Sequence, residues 1–184
     1  MIIIFSAPSG SGKSTLVQHL LDTRQDMELS ISATTRAPRG KEQNGREYYF
    51  ISQDKFESLI SEDAFVEWQQ VYQGTYYGTL RSEIERIEGA GHHVVFDIDV
   101  KGGINVKKMF GDKARAIFIA PPSIEALRER LTKRGTDSPE KIEERLAKAE
   151  TEMADAPLFD TILVNDDLNE AKRALDKEIA AFIG

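Results

Sequence analysis

The sequence predicts an α/β protein in which helices cover both faces of a parallel sheet. Short apolar runs of strand length alternate with segments whose apolar residues recur every three or four positions, and this alternation is typical of βαβ units. The length of 184 residues suits one compact domain that carries smaller lobes. The chain contains no cysteine, which excludes disulfides, thiolate metal sites and a cysteine nucleophile.

The strands are predicted from apolar runs, and the first of them, residues 2–5, is apolar throughout, as in a strand buried on both faces. The segment 34–45 is rich in Arg, Pro, Gly and Asn and is predicted to be a loop. The stretch 31–80 is rich in strands and interrupts the α/β pattern, so we expect it to form a lobe of its own. The predicted strands cover residues 2–5, 28–33, 48–51, 65–71, 93–98, 114–119 and 161–164.

The helices are predicted from the spacing of apolar residues and from capping residues at their starts. Leu16 and Leu20 lie on one face of the first helix. The last three helices begin at Ser123, Ser138 and Asp167, whose side chains can accept hydrogen bonds from the first free amides of a helix. The other predicted helices cover residues 11–21, 54–61, 80–88 and 104–110.

The net charge of the chain restricts its partners. Asp and Glu number 31 against 24 Lys and Arg, which gives a formal charge of −7. An acidic chain binds nucleic acid and anionic membranes poorly, so a phosphate site must be local. No apolar run is long enough to cross a bilayer, and the first residues lack the basic leader of a signal peptide. We therefore expect a cytoplasmic protein without nucleic-acid or membrane partners.

A glycine-rich loop joins the first strand to the first helix and predicts a phosphate site. Gly10 and Gly12 allow successive amides to point at one anion at the start of a helix. Lys13 would reach the β- and γ-phosphates, and Ser14 could ligate Mg²⁺. Ala7 stands where the usual pattern has its first glycine. The alternative is a plain strand-to-helix turn with an exposed lysine.

An apolar strand ends at Asp97, which is the position of the carboxylate that helps to hold Mg²⁺ in such nucleotide-binding proteins. Asp99 lies two residues further on and faces the same side if the strand continues. The alternative is an aspartate that closes a turn. The sequence therefore predicts Ser14 and Asp97 as metal ligands, directly or through water.

The loop after residue 33 carries two arginines beside a proline. In an extended segment, Arg36 and Arg39 can converge on one phosphate more easily than on a helix face. Tyr48 and Tyr77 offer further hydroxyl donors. The alternative is a pair of solvated surface arginines.

From residue 2 to about residue 167, the sequence resembles the guanylate kinases. The resemblance rests on the following motifs, in chain order: residues 7–14 (APSGSGKS), 32–39 (SATTRAPR), 44–48 (NGREY), Glu67, 76–79 (YYGT), 97–99 (DID) and 134–136 (RGT). The arginine segment and the YYGT segment are more specific than the phosphate loop. The resemblance implies three parts. A P-loop nucleotide-binding core comprises residues 1–30, 81–122 and 151–184, a GMP-binding lobe comprises residues 31–80, and a helical lid comprises residues 123–150.

The resemblance implies ATP:GMP phosphotransfer with Mg²⁺, ATP as donor, and GMP and dGMP as acceptors; it leaves a homo-oligomer open. It places the phosphate of GMP on Arg36, Arg39, Tyr48 and Tyr77. Guanine would be read by Ser32, Glu67, Thr79 and Asp99, and Asp97 is grouped with them. Guanine presents N1–H and 2-amino donors that suit a carboxylate, whereas adenine would leave Glu67 unpaired. Taken by itself, Glu67 could also be an exposed strand residue.

The phosphate loop supplies some of the residues expected at ATP, and the resemblance implies that arginines of the lid and residues after the last strand supply the others. Arg130 and Arg134 lie four apart on one helix face, and the alternative for Arg130 is pairing with nearby glutamates. The charge on the transferred group would be neutralised by Lys13, Arg36, Arg39, Arg134 and Arg145. The predicted ATP contacts are Ala7, Pro8, Ser9, Gly10, Ser11, Gly12, Lys13, Ser14, Thr15, Arg130, Arg134, Asn165 and Asp166.

Two other protein classes compete with this interpretation. A non-catalytic guanylate-kinase-like interaction module usually has a degenerate phosphate loop, whereas Lys13 and Ser14 are intact here. Another nucleoside monophosphate kinase, such as one of the AMP or shikimate type, would keep the phosphate loop but not the segments RAPR (residues 36–39) and YYGT (residues 76–79).

Overall fold

A computed structural model describes the backbone of residues 1–184 and all side chains except that of Tyr72. The chain divides into two compact units, one formed by residues 1–25 and 96–184 and the other by residues 26–95. The strands are Ile2–Ser6 (β1), Met27–Leu29 (β2), Ala33–Thr34 (β3), Tyr49–Phe50 (β4), Phe65–Tyr72 (β5), Thr75–Leu80 (β6), His93–Asp97 (β7), Ala114–Ala120 (β8) and Thr161–Val164 (β9). The helices are Lys13–Thr23 (α1), Gln53–Ser61 (α2), Arg81–Gly89 (α3), Val100–Phe110 (α4), Ile124–Arg134 (α5), Pro139–Ala154 (α6) and Leu168–Ile183 (α7).

The predicted parallel sheet is confirmed. Its strands follow the order β2-β7-β1-β8-β9, and β8 pairs in parallel with both β1 and β9. Residues 2–5 of β1 are at most 1% exposed, which explains why this strand is apolar at every position. Because the carboxyl ends of parallel strands meet at one edge, Ser6 and Asp97 end their strands on the same side of the sheet.

The unit of residues 26–95 contains a second sheet with the strand order β4-β3-β6-β5. A hairpin turn at Gly74, where φ is +74°, joins β5 to β6. Ala33, Phe56 and Phe65 form its core, and the two phenylalanine rings stack with centroids 4.3 Å apart. The strand-rich character expected for 31–80 is therefore present, and the predicted boundaries of the three parts remain predictions.

The capping predictions are confirmed at all three helix starts. Ser123 accepts from the amide of Ala126, Ser138 from that of Lys141, and Asp167 from the amides of residues 169 and 170. Leu127, Leu131, Ile142 and Leu146 then form the buried seam between α5 and α6.

One predicted strand was wrong, and one observed strand was not predicted. The single strand predicted over 28–33 is two short strands, since β2 ends at Leu29 and β3 begins at Ala33. The amide of Ile31 lies between them and donates to the carboxylate of Glu83 instead of to a neighbouring strand. The strand β6 was not predicted, because its tyrosines and glycine give no regular alternation of apolar and polar residues.

Candidate active site

The loop between β1 and α1 has the backbone conformation of an anion-binding loop. Gly10 and Gly12 adopt φ values of +96° and +90°, a region that glycine enters without steric cost. Gly12 directly precedes α1, and among the described residues no side chain caps the first amides of this helix. Those amides and the helix dipole therefore remain available to a bound anion. Ser14 and Thr15, the next predicted ATP contacts, are exposed.

Asn165 braces this loop from the end of β9. It is 6% exposed, and its side-chain amide donates to the carbonyl oxygen of Ser11 at 2.8 Å. Its own backbone amide donates to Ala120 at 2.8 Å, which fixes it to the sheet. A methyl group on Gly12 would overlap the side-chain nitrogen of Asn165. Asn165 thus supports the loop from behind, while Asp166 beside it is exposed.

Lys13 and Asp97 form an ion pair at the carboxyl edge of the parallel sheet. The ammonium group of Lys13 also donates to the carbonyl oxygen of Ile98 at 3.3 Å. Asp99 accepts from the amide of Gly102 at 2.7 Å and so caps α4, while its backbone oxygen accepts from the hydroxyl of Ser6. The structure therefore brings the predicted lysine and the predicted metal carboxylate together and gives Asp99 a capping role.

The three predicted lid arginines have different surroundings. Arg145 donates to the hydroxyl of Ser9 in the phosphate loop at 2.6 Å and lies 3.2 Å from the carboxylate of Asp137. Arg130 donates to the backbone oxygen of Asn165 at 2.8 Å. Arg134 lies exposed in the last turn of α5. Of the three, Arg145 is held at the loop in the described structure.

In the unit of residues 26–95, Arg36 lies among two tyrosines and a carboxylate. Its guanidinium donates to Glu42 through two nitrogens, at 2.6 and 2.8 Å, and to the hydroxyl of Tyr77 at 3.0 Å. It also lies over the ring of Tyr48, 4.9 Å from the centroid. The side chain of Arg39 is exposed, and its backbone amide donates to Glu42 at 2.7 Å.

The ion pair with Arg36 fixes the charge of Glu42. The hydrogen bonds from Arg36 and from the amide of Arg39 lower the pKa of the Glu42 carboxyl to about 2, and the carboxylate in turn raises the pKa of Arg36. Both groups are therefore charged over the whole physiological pH range. The sequence analysis missed Glu42, although an acid six residues after Arg36 in a basic loop is the signal that marks it.

Three predicted guanine contacts form a hydrogen-bonded chain that connects the residue before β3 to β6 and β5. Thr79 is fully buried and its hydroxyl donates to the carboxylate of Glu67 at 2.9 Å. The hydroxyl of Ser32 lies 3.5 Å from that of Thr79. The register of the hairpin places Glu67 directly opposite Thr79, and a methyl group on the neighbouring Gly78 would lie 2.8 Å from the backbone oxygen of Glu67. The alternative for Glu67 was an exposed strand residue. The side chain is instead half-buried and accepts a hydrogen bond from Thr79.

The family model described as guanylate kinase matches residues 1–182. The chain belongs to the guanylate kinase family. The guanylate kinase of Porphyromonas gingivalis is 56% identical over 183 residues, which cover 99% of this chain and 97% of that relative. The guanylate kinase of Bacteroides fragilis is 51% identical and is covered to 90%, with all of this chain matched. The crystal structure of guanylate kinase from Anaplasma phagocytophilum matches the whole chain with a TM-score of 0.74 at 29% identity, over 87% of that chain.

Within this guanylate kinase fold, the predicted site residues fall into two groups. The phosphate loop, Asp97, Asp99, Asn165 and the lid arginines lie in the unit of residues 1–25 and 96–184, and the arginine loop, both tyrosines, Ser32, Glu67 and Thr79 lie in the other. Asp97 and Asp99 are thus in the same unit as Lys13, and their assignment to GMP remains a prediction.

A partly buried glutamate, Glu152, lies in the last turn of α6. Its side chain is 14% exposed and pairs with Lys148 at 3.3 Å. Burial raises the pKa of the Glu152 carboxyl, the charge of Lys148 opposes the rise, and the charge of Asp99 adds to it. No motif marks this glutamate, since it follows an ordinary helical spacing of charged residues.

Proposed function

We propose that this chain transfers the γ-phosphoryl group of ATP to GMP, giving ADP and GDP by direct in-line transfer. GMP is proposed as the acceptor because Glu67, Thr79 and Ser32 are connected by hydrogen bonds in the same unit as Arg36 and Tyr77. A carboxylate that accepts from a hydroxyl donor suits the N1–H and 2-amino groups of guanine, and adenine supplies neither of these donors. The full-length similarity to the guanylate kinases above supports the same reaction.

At the donor end, the phosphate loop binds the tail of ATP. The amides after Gly12 and the ammonium of Lys13 would contact the β- and γ-phosphates, where charge builds up as the phosphoryl group leaves. Arg145, which donates to Ser9 of the loop, would lie at the phosphates of ATP. Arg130, Arg134 and Asp166 complete the proposed ATP contacts. Asn165 acts in this proposal by bracing the carbonyl of Ser11.

The donor set also suits Mg²⁺. Among the described residues no group of three or more His, Cys, Asp or Glu could form a protein cage for a metal. Mg²⁺ at nucleotides usually takes one or two protein ligands and completes its shell with phosphate and water oxygens. Ser14 and Asp97 would be those ligands, with Asp97 shared with Lys13. When bound, the ion neutralises charge on the phosphates of ATP.

At the acceptor end, Arg36, Arg39, Tyr48 and Tyr77 would hold the phosphate of GMP. The two parallel hydrogen bonds from Arg36 to Glu42 are the geometry in which a guanidinium also takes phosphate oxygens. The attacking oxygen of GMP is already anionic, so the reaction needs no general base. Catalysis therefore rests on positioning and on charge neutralisation by Lys13 and the arginines.

Three further assignments concern the lid, the cellular location and the partners. We propose that residues 123–150 form the lid, which the packed pair of α5 and α6 favours. No helix in the described chain is both long and apolar enough to cross a membrane. We also propose a cytoplasmic location, and the net charge of −7 supports the lack of a nucleic-acid partner.

A substrate panel tests the proposed function. ADP formation from ATP is measured with GMP, dGMP, AMP, CMP and UMP in turn, with and without Mg²⁺. We expect turnover with GMP and dGMP and a rate at least about a hundredfold lower with AMP, because adenine lacks the N1–H and 2-amino donors that the site is proposed to bind. Equal use of AMP would contradict the guanine assignment, and the absence of turnover with every acceptor would favour the non-catalytic interaction module, which the comparisons do not support.

A further inference from the structure

Glu83 is a buried carboxylate that the proposed reaction does not use. It lies in the first turn of α3 and is 3% exposed. A buried carboxylate is costly unless each of its oxygens is hydrogen-bonded, so its partners indicate what it is retained for. They come from three separate parts of the same unit.

Four donors converge on the two oxygens of Glu83. One oxygen accepts from the amide of Ile31 at 3.1 Å and from Arg86 at 2.7 Å. The other accepts from the hydroxyl of Tyr49 at 3.0 Å and from a second nitrogen of Arg86 at 3.2 Å. An ionised carboxylate has about four acceptor positions, and all of them are used here.

Arg86 connects this carboxylate to a second one. Its third nitrogen donates to Glu28 at 2.6 Å, and the other oxygen of Glu28 lies 3.2 Å from a ring nitrogen of His92. Burial by itself would raise the pKa of Glu83, but the hydrogen bonds from Arg86, Ile31 and Tyr49 outweigh it and lower the pKa. Glu83 is therefore ionised, and the guanidinium balances its charge.

The contacts of Glu83 surround Ser32, the first residue of the proposed guanine site. Ile31 immediately precedes Ser32, and the backbone amide of Tyr49 donates to the carbonyl oxygen of Ser32 at 2.9 Å. Glu83 thus binds the amide of Ile31 on one side of Ser32. It also binds the hydroxyl of Tyr49, whose backbone amide donates to the carbonyl oxygen of Ser32. Ile31 lies where the chain has left β2 and not yet entered β3, so no strand ladder fixes it there.

The same helix begins directly after the other end of the guanine site. Thr79 lies near the end of β6 and α3 begins at Arg81, so Glu83 follows Thr79 closely, in the first turn of the helix. The carboxylate therefore connects the segment that carries Ser32 to the element that follows Thr79. The hydroxyls of Ser32 and Thr79 lie 3.5 Å apart, beside the β3–β6 pairing and between the two segments that Glu83 connects.

We propose that Glu83 is a positioning residue for guanine recognition, which sets the affinity for GMP by fixing Ser32 against Thr79 and Glu67. The proposal rests on the assignment of those three residues to guanine. Glu83 contacts neither nucleotide in this account and acts through the backbone of residues 31 and 32. Loss of its charge should therefore affect the acceptor site and leave the phosphate loop unchanged.

The test is Glu83→Gln, measured as separate KM values for GMP and ATP together with kcat. Glutamine keeps the size of the side chain but replaces one acceptor with an NH₂ group, which would face the donors of Ile31, Tyr49 or Arg86. We expect the KM for GMP to rise about tenfold, with the KM for ATP and kcat within twofold of the unmodified enzyme. Glu85→Gln, an exposed residue of the same helix, is the matched control and should change none of these values.

Two results would overturn the proposal. One is an unchanged KM for GMP in a folded Glu83→Gln variant, and the other is a parallel rise of both KM values, which would indicate a general loss of structure. If Glu83→Gln does not fold, Tyr49→Phe decides, because it removes one donor and leaves the charge pair intact. A rise of about threefold in the KM for GMP alone supports the proposal, and no rise contradicts it.

Glu67→Gln, measured alongside, separates this proposal from the site assignment. If Glu67→Gln leaves the KM for GMP unchanged, the guanine assignment itself is wrong, and the positioning proposal is wrong with it. If Glu67→Gln raises that KM and Glu83→Gln does not, only the positioning proposal is wrong.

Discussion

Gly12→Ala tests whether the phosphate loop depends on the left-handed backbone of Gly12 and on the close approach of Asn165. Gly12 has a φ of +90°, and a β-carbon there would overlap the side-chain nitrogen of Asn165. The left-handed backbone costs an alanine about 1–2 kcal/mol. Displacing Asn165 costs a further ~1–2 kcal/mol, because the carbonyl of Ser11 is then buried without its hydrogen bond.

The two terms together give a loss of about 2–4 kcal/mol in the free energy of unfolding. Urea denaturation followed by circular dichroism measures it by linear extrapolation. Gly89→Ala is the matched control: Gly89 ends α3, has no positive φ and has nothing within 4 Å of the added β-carbon. There alanine should stabilise by up to ~1 kcal/mol through its higher helix propensity.

The same variant should lose affinity for ATP, because the amides after residue 12 no longer point at one anion. Calorimetric titration with ATP, alone and with Mg²⁺, measures this loss. A Gly12→Ala protein that unfolds within 1 kcal/mol of the Gly89→Ala control and still binds ATP normally would refute the argument.

Two further predictions concern the acceptor unit. Gly78→Ala should raise the KM for GMP by about tenfold or more, because a methyl group 2.8 Å from the backbone oxygen of Glu67 pushes β6 away from β5. Such overpacking costs ~1–3 kcal/mol. Steady-state kinetics measure the KM, and an unchanged value would contradict the proposed guanine contacts. The carboxyl carbon of Glu42 should titrate by NMR at about pH 2, because Arg36 and the amide of Arg39 favour its charged form. Since this folded-state pKa is lowered, the stability that the pair contributes is complete above the unfolded value and is lost as the pH falls towards 2. A midpoint near pH 4.5 would show that the pair does not form in solution.

Much of the fold was predictable, because the buried strands and the helix caps are local features of the sequence. The runs 2–5 and 114–119 are apolar at nearly every position, as strands buried on both faces must be. Ser123 and Ser138 each precede a helix and act through amides only three residues away. The strand β6 escaped prediction because its tyrosines and glycine show no regular alternation and because one of its two partners, β3, lies far earlier in the sequence.

The candidate site was predictable where residue type alone dictates the chemistry. The phosphate loop is a contiguous pattern, and its glycines have the positive φ values that the pattern requires. Contacts between distant positions were not predictable, and they include Glu83 with Ile31 and Arg145 with Ser9. Nothing in the residues near Glu83 distinguishes it from a surface acid such as Glu85.

Two separate sets of residues are proposed to bind the two nucleotides. ATP binds at the phosphate loop, and GMP binds at the hydrogen-bonded residues Glu67, Thr79 and Ser32. The most direct measurement is a crossed calorimetric titration of Lys13→Ala and Glu67→Gln with each nucleotide by itself. We predict that Lys13→Ala loses affinity for ATP and binds GMP normally, and that Glu67→Gln does the reverse. If either variant loses both ligands to the same extent, or if Lys13→Ala retains normal turnover, the claim is contradicted.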